Sequence, residues 1–432
     1  MIRIMKYKKV SDSEIFRRGT AYNDVSKIVS SILSDVEKRG DAALREYTKK
    51  FDGCDIDAIE VPFSELEQAA ASMDSNFMRV LKKAAENISS YHRRQIRESF
   101  VISEKEGIVL GQKVVPVAAA GIYVPGGTAA YPSTVLMDTI PAKLAGVGQV
   151  IMVSPPGGKD GKISSAVLAA AYVAGVDRVF RVGGAQAVAA LAYGTQTVPK
   201  ADKIVGPGNI FVAEAKKQVS GIVSIDMIAG PSEILIIADG KSDPEILAAD
   251  MLSQAEHDKN ASAVLITDCS ELALKVSAEL EKQLSELPRE EIARASIENN
   301  GKIIIVDSIK QAIEVSDRIA PEHLEVCVDS PFDYLDSIHN AGSVFLGRSC
   351  PEALGDYLAG PNHTLPTGGT ARFSSPLSVS DFVKTYQFTY YTQKAISSVA
   401  KDIALFARKE GLEAHARSAL ARLKNDLKGG LK

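Results

Sequence analysis

The stretch VVPVAAAGIYVPGGTAAYPS, residues 114–133, decides the reading of the fold. A short apolar run ends in a glycine-rich turn, and a small-residue helix pattern follows. Apolar runs of this length bounded by glycine and proline read as buried strands. The same succession recurs in QVIMVSPP (149–156), in RVFRV (178–182) before GGAQAVAALAYG, and in DKIV (202–205) before GPGNIFVAEAKKQV. A second series follows, with SEILIIAD (232–239), SAVLITD (262–268), GKIIIVDS (301–308), HLEVCVD (323–329) and GSVFLG (342–347) separated by helical patterns. Strands alternating with helices imply βαβ units, and so parallel sheets covered on both faces. The expected fold is α/β, with two Rossmann-like α/β/α domains.

Working outward, residues 22 to 95 carry apolar positions at i, i+3 and i+4 in DVSKIVSSILSDVEKRGDAALREYTKKF and FSELEQAAASMDSNFMRVLKKAAENISSY, a helical lead-in. After Gly347 the polar passage PEALGDYLAGPNHTLPTGGTARFSSPLS is too long for a simple connector and reads as functional or mobile. The chain closes on QKAISSVAKDIALFARKEGLEAHARSALARL, a small amphipathic helical piece suited to docking. The expected partition is an N-terminal segment at 1–21, a discontinuous α/β domain at 22–122 plus 232–376, an inserted Rossmann-like domain at 123–231, and a helical C-terminal segment at 377–432.

Composition excludes several classes of function. Charges of both signs are interspersed to a net −4, without a basic block, and aromatics are 6%, so neither a nucleic-acid groove nor a membrane-surface helix is indicated. The basic N-terminus MIRIMKYKKVSDSE lacks a following apolar region, and no stretch approaches the roughly 18 apolar residues of a spanning helix. A cytoplasmic location is expected. Cys54, Cys269, Cys327 and Cys350 are scattered singly, which fits reduced structural thiols better than a zinc ribbon or a disulfide framework.

A strand, a glycine turn and a helix N-terminus in that order form an anion seat, because backbone N–H groups and the helix dipole face the ligand. Three such turns close together suggest a phosphate or dinucleotide. No turn spells the dinucleotide fingerprint, however: GVGQVI has Ile151 and GPGNIF has Phe211 at the third glycine position. Glycines serving only tight βα turns remain the alternative.

Six histidines narrow the chemistry. His92 lies among charges and reads as a surface residue; His339 reads as a helix C-terminal cap. The other four stand beside a carboxylate or amide, in QAEHD, PEHLE, GPNHTLP and GLEAH. In the helix before QAEHD, Leu247, Ala248, Met251, Leu252 and Ala255 share one face, with Asp250, Gln254 and His257 on its flank. An imidazole and an amide oxygen one turn apart can share a metal ion; they can equally be a hydrogen-bonded pair on a packed helix. A full site would draw further ligands from GDYLAGPNH and GLEAH. In APEHLE, Glu322 and His323 adjoin at a loop–strand junction and suit proton transfer near neutral pH, unless Glu322 merely begins the strand.

Taken together these motifs resemble the histidinol dehydrogenase family. GIYVPGG, VGGAQAVAALAYGT, KIVGPGN, DMIAGPSE, MLSQAEHD, APEHLE, GDYLAGPNHTLPT and EGLEAH span essentially the whole chain in the family's order and spacing. The resemblance implies oxidation of L-histidinol to L-histidine, through bound L-histidinal, by two hydride transfers to NAD. It implies one zinc per site, held by Gln254, His257, Asp356 and, from the partner subunit of a homodimer with shared sites, His415. Glu322 and His323 match the acid/base pair; Ser232, His363 and Glu410, with His323 and the zinc ligands, match the substrate contacts; Tyr123, Gln186 and Asn209 match the cofactor contacts. The discontinuous domain would carry zinc and acid/base residues, the inserted one NAD, and the C-terminal segment would dock on the partner. Val153 stands where some members have cysteine, which argues against a thiohemiacetal there. Read from the residues alone, a zinc-dependent hydrolase of small amides or esters, with Glu322 as base, is the alternative; a non-catalytic two-lobed binding protein is a third reading.

Overall fold

The computed structural model describes residues 1–16, 24–126, 130–157 and 161–425. The tip of the first glycine-rich turn, residues 127–129, and the end of the expected N-terminal segment, residues 17–21, lie outside the described residues. The chain forms two compact units, one of Met1–Gln95 with Val117–Phe382 and the other of Ile96–Pro116 with Val383–Lys432.

The first unit holds two six-stranded sheets. In the first sheet the strands run in the order Glu60–Val61, Arg178–Arg181, Gln149–Ser154, Ala119–Tyr123, Lys203–Val205, Ser224–Ile225. Only the edge strand Glu60–Val61 is antiparallel to its neighbour. The second sheet runs Arg3–Lys6, Lys302–Ile305, Ser262–Thr267, Glu233–Ala238, His323–Cys327, Ser343–Leu346, and is parallel throughout. Val150, Ile151, Met152 and Val153 are all wholly buried, as a strand covered on both faces requires. Apart from the early edge strands Glu60–Val61 and Arg3–Lys6, the chain in each sheet starts centrally, builds to one side and then crosses to the other. The reversal falls between Ala119–Tyr123 and Lys203–Val205 in the first sheet, and between Glu233–Ala238 and His323–Cys327 in the second. Crevices open at such switch points.

The core redraws the expected partition. Helix Gly184–Tyr193 is buried on every side from Ala185 to Ala192, so a sheet face alone cannot cover it. Helices Ser26–Arg39 and Asp41–Asp52 supply the outer cover through Val29, Ile32, Leu33, Val36, Ala43 and Leu44. On the opposite face Leu66, Ala69, Leu81, Ala84 and Ile88 join helices Pro132–Ala145 and Ser165–Ala174. The helical lead-in therefore packs on the first sheet and not, as its assignment to 22–122 plus 232–376 implied, on the second. Arg3–Lys6, expected as a bare segment, is the second sheet's edge strand.

In the second unit, strands Phe100–Ile102, Ile108–Pro116 and Val383–Tyr391 form an antiparallel sheet. Helices Gln393–Lys409 and Glu413–Ala421 pack on each other through Ala404, Ala407 and Ala416. The segment 377–432 is thus not purely helical: VKTYQFTYY is a nine-residue strand, rich in the β-branched and aromatic residues that suit a pleated surface. The opening stretch is cut as well, since Val114–Pro116 ends a strand of the second unit whereas Ala119–Tyr123 is central to the first sheet. Among the described residues no helix is long and apolar enough to cross a membrane.

Candidate active site

A cleft of about 610 Å³ opens in the first unit. Its walls include the turn Gly206–Pro207–Gly208–Asn209, Ser232, Gln254, His257, Glu322, His323, Asp356 and His363. The turn follows the carboxyl end of Lys203–Val205, where ligand sites of open α/β sheets collect. Ser232 and Glu322, by contrast, immediately precede Glu233–Ala238 and His323–Cys327. The cleft thus uses the carboxyl edge of one sheet and the amino edge of the other.

One residue of the neighbouring strand positions both Glu322 and His323. His323 Nδ1 lies 3.0 Å from the carbonyl oxygen of Glu233, and a carbonyl only accepts, so Nδ1 carries the proton. That leaves Nε2 with a lone pair, buried and without a hydrogen-bond partner. The backbone N–H of the same Glu233 donates to Glu322 Oε2 at 2.8 Å. Glu322 is buried, and desolvation pushes its carboxyl up to about 8, against the opposing pull of His323 and the Glu233 N–H.

Asp356 is the hub on the facing wall. Its Oδ1 is 3.8 Å from His323 Nε2 and 3.9 Å from His363 Nδ1. One potential ligand atom from each of His257, Glu352 and Asp356 lies within 4.8 Å of the others, the spacing of groups around a cation. Asp356 stands on a π-helical turn, Gly355–Ala359, a local widening frequent at functional sites. A Cβ on Gly355 would meet the Phe345 ring at 2.4 Å, and Phe345 in turn stacks on His323 at 6.1 Å between centroids, so glycine lets this turn close on the site. Gln254, in the last turn of Pro244–Ala255, is buried; His257, just beyond it, is exposed. His363 is largely buried, which lowers its pKa, with the Asp356 charge opposing.

Next to the first sheet Asn209 lines the cleft and caps helix Ile210–Val219, its Oδ1 accepting from the N–H groups of Phe211 and Val212 at 3.0 and 3.2 Å. Tyr123 and Gln186 are buried near the N-terminus of Gly184–Tyr193 and do not line the cleft; the Tyr123 hydroxyl accepts from the Gly184 N–H at 3.0 Å. Gly206 has φ +113°, and a Cβ there would lie 2.2 Å from the Tyr123 carbonyl oxygen. A buried ion pair, Lys216–Asp226 at 2.5 Å, clamps this glycine: Lys216 Nζ donates to its carbonyl and Asp226 Oδ2 accepts from its N–H, both at 2.8 Å. Beside it, Asp138 accepts from Thr364 Oγ1 at 2.7 Å, and burial pushes its carboxyl up to about 8.

The histidinol dehydrogenase family model matches residues 16–423 of this chain. The chain belongs to the histidinol dehydrogenase family. It is 51% identical to the histidinol dehydrogenase of Clostridium acetobutylicum, over 98% of this chain and 99% of that one. It is 53% identical to that of Bacillus subtilis, over 97% of this chain and 99% of the relative. The crystal structure of histidinol dehydrogenase from Elizabethkingia anophelis matches with a TM-score of 0.92 at 38% identity, covering 98% of each chain.

Of the residues that the histidinol dehydrogenase resemblance singled out, the first unit gathers Ser232, Gln254, His257, Glu322, His323, Asp356, His363 and Asn209 around one cleft. Glu410 and His415 belong to the second unit, Glu410 at the C-terminal cap of its first helix and His415 in the first turn of its second, and both are exposed. Two histidine readings need correction. His92 is wholly buried, with Nδ1 2.7 Å from Gln95 Oε1, because it continues the inward stripe Leu81, Ala84, Ile88. His339 pairs its ring with Asp317 at 2.9 Å, and Ile338 occupies the cap of helix Pro331–Ser337. Glu352 and the Lys216–Asp226 pair were not foreseen. The four-residue spacing of Glu352 and Asp356 in PEALGD was the available signal for the former.

Proposed function

We propose that the protein oxidises L-histidinol to L-histidine through bound L-histidinal, by two successive hydride transfers to NAD, in histidine biosynthesis. The observation that carries this reading is His323, a buried imidazole whose tautomer is set by a backbone carbonyl and whose free Nε2 faces the cleft's carboxylate and imidazole groups. Family membership supports the same activity.

Loss of hydride from a carbinol carbon requires its hydroxyl proton to leave in step, and an imidazole is matched to that task near neutral pH. In this reading His323 Nε2 accepts the hydroxyl proton as the hydride passes to NAD, giving the aldehyde. Glu322 takes a proton from the water that adds to the aldehyde carbon while His323 returns its proton to the aldehyde oxygen, so that a gem-diol results, His323 Nε2 is again free to accept, and Glu322 gives up its proton to solvent. His323 then accepts a proton from the gem-diol as the second hydride leaves, and the product is the carboxylic acid. Gln254, His257 and Asp356, with His415 of a second copy, make a nitrogen and oxygen donor set that fits zinc; the spacing of His257 and Asp356 supports it. When bound, zinc supplies a redox-silent Lewis acid that holds the substrate's imidazole and amino group. Ser232, His363 and Glu410 are assigned to substrate, and Asn209, backed by Tyr123 and Gln186, to NAD. The second sheet then carries acid/base and metal residues and the first the cofactor, in a cytoplasmic homodimer with shared sites.

The test is zinc-loaded protein with L-histidinol and NAD, followed by the absorbance of reduced NAD. Two reduced NAD per histidinol are expected. No absorbance change from protein of confirmed metal content would overturn the proposal, and cleavage of small esters without NAD would favour a hydrolase instead.

A further inference from the structure

We propose that Glu352 is a positioning residue that decides which atom of the Gln254 amide faces the metal. The inference rests on the assignment of Gln254 as a ligand. Glu352 is buried beside the cleft, and the end of the Gln254 side chain lies 2.5 and 3.0 Å from its two carboxylate oxygens. Carboxylate oxygens accept, so the amide atom facing them is the nitrogen. An amide nitrogen is a donor and repels a cation, whereas the amide oxygen is a ligand. With its nitrogen drawn to Glu352, Gln254 turns Oε1 away from that carboxylate, and the residue lines the cleft. Turned by 180°, the same side chain would present N–H groups to the metal and contribute no bond.

Glu352 is itself held in place. Its backbone N–H donates to Glu325 Oε1 at 2.7 Å, and its Oε2 accepts from Ser253 Oγ at 3.2 Å. Its carboxylate also comes within 4.8 Å of the ligand atoms of His257 and Asp356, so direct ligation is the competing role. Positioning is favoured because the Gln254 amide approaches both carboxylate oxygens. Partners of this kind orient ligands, and their loss typically weakens metal affinity roughly 10–100-fold.

The test uses the intact protein and two readouts: zinc affinity by chelator competition, and the absorption spectrum of the cobalt(II)-substituted form. E352Q is expected to weaken zinc affinity roughly 10–100-fold, with the cobalt-saturated spectrum unchanged in band shape, because saturating metal selects the amide orientation that offers oxygen and Glu352 is not itself a ligand. Q254E alone should also weaken it, because two carboxylates then face each other. The double variant E352Q/Q254E should return to within a few-fold of the parent, since a carboxylate at 254 offers oxygen in either orientation and can accept from the amide introduced at 352. Parental zinc affinity in E352Q, additive losses in the double variant, or an altered cobalt spectrum in E352Q would overturn the proposal, the last by making Glu352 a ligand. Should E352Q fail to fold, the comparison of Q254E with the double variant decides alone. Parental affinity in Q254A would instead remove Gln254 from the ligand set, a failure distinguishable from that of Glu352.

Discussion

His323 Nε2 faces Asp356 Oδ1 across 3.8 Å without a hydrogen bond, while the opposite ring nitrogen is tied to the Glu233 backbone. The proposed base is therefore oriented by the scaffold and left open on the side that faces the cleft. His323→Asn should depress both oxidations by about 10²–10⁴-fold, the usual worth of a general base. Metal content should stay at the parental level. Steady-state kinetics with metal analysis checks this, and loss of metal in the variant would contradict the assignment of His323 as base.

In its proposed role as base Glu322 acts only when ionised, yet its carboxyl is pushed up to about 8 by burial. At pH 7 only about a tenth is then ionised, so conversion of histidinal to histidine should rise severalfold from pH 7 to 9. Glu322→Gln should abolish that rise and leave about one reduced NAD per histidinol. Folding stability follows the opposite course. Between the ordinary carboxyl value and about 8 the folded form holds a proton that the unfolded chain releases, so this contribution is present in acid and lost as pH rises through 8. The melting temperature of Glu322→Gln relative to the parent should therefore be higher at pH 9 than at pH 4. An equal difference at both would count against a buried, raised carboxyl.

Removing one partner of the Lys216–Asp226 pair strands the other in a dry interior, which costs about 3–5 kcal/mol. Lys216→Met should lose stability of that order in urea titration. It should also weaken NAD binding more than L-histidinol binding, because the pair clamps Gly206 and not the histidine cluster. Equal loss for the two ligands would break that link.

If His415 completes its site from a second subunit, inactive Gln254→Ala and His415→Ala chains should complement on mixing. Random exchange in a two-fold dimer should regenerate roughly a quarter of the sites. Absence of activity despite demonstrated exchange would place all ligands within one chain.

The strands Gln149–Ser154 and Glu233–Ala238 were legible because a run buried on both faces must be apolar at every position. Glu322 and His323 stood out as cleft residues because an acid beside an imidazole at a strand mouth has few structural uses. The placement of the lead-in helices was not, because an amphipathic stripe states that a helix is covered without naming the partner. His92 was misread from its charged neighbours, although the i, i+4 step from Ile88 placed it on the inward stripe. Glu352 escaped notice because its role depends on touching Gln254, almost a hundred residues away in sequence.

Glu233 uses its N–H and its carbonyl to hold two side chains of the adjacent segment, and in the ladder Ile234 stands opposite His323. A slip of one residue in that pairing would turn His323 to the other face and strand both groups of Glu233. The proposed catalytic pair is thus also a register lock, and the pairing that folding must find is the one that the proposed chemistry requires. A population trapped one step out would keep its helix and strand content by circular dichroism and be catalytically silent, so specific activity reports sheet register where spectroscopy cannot.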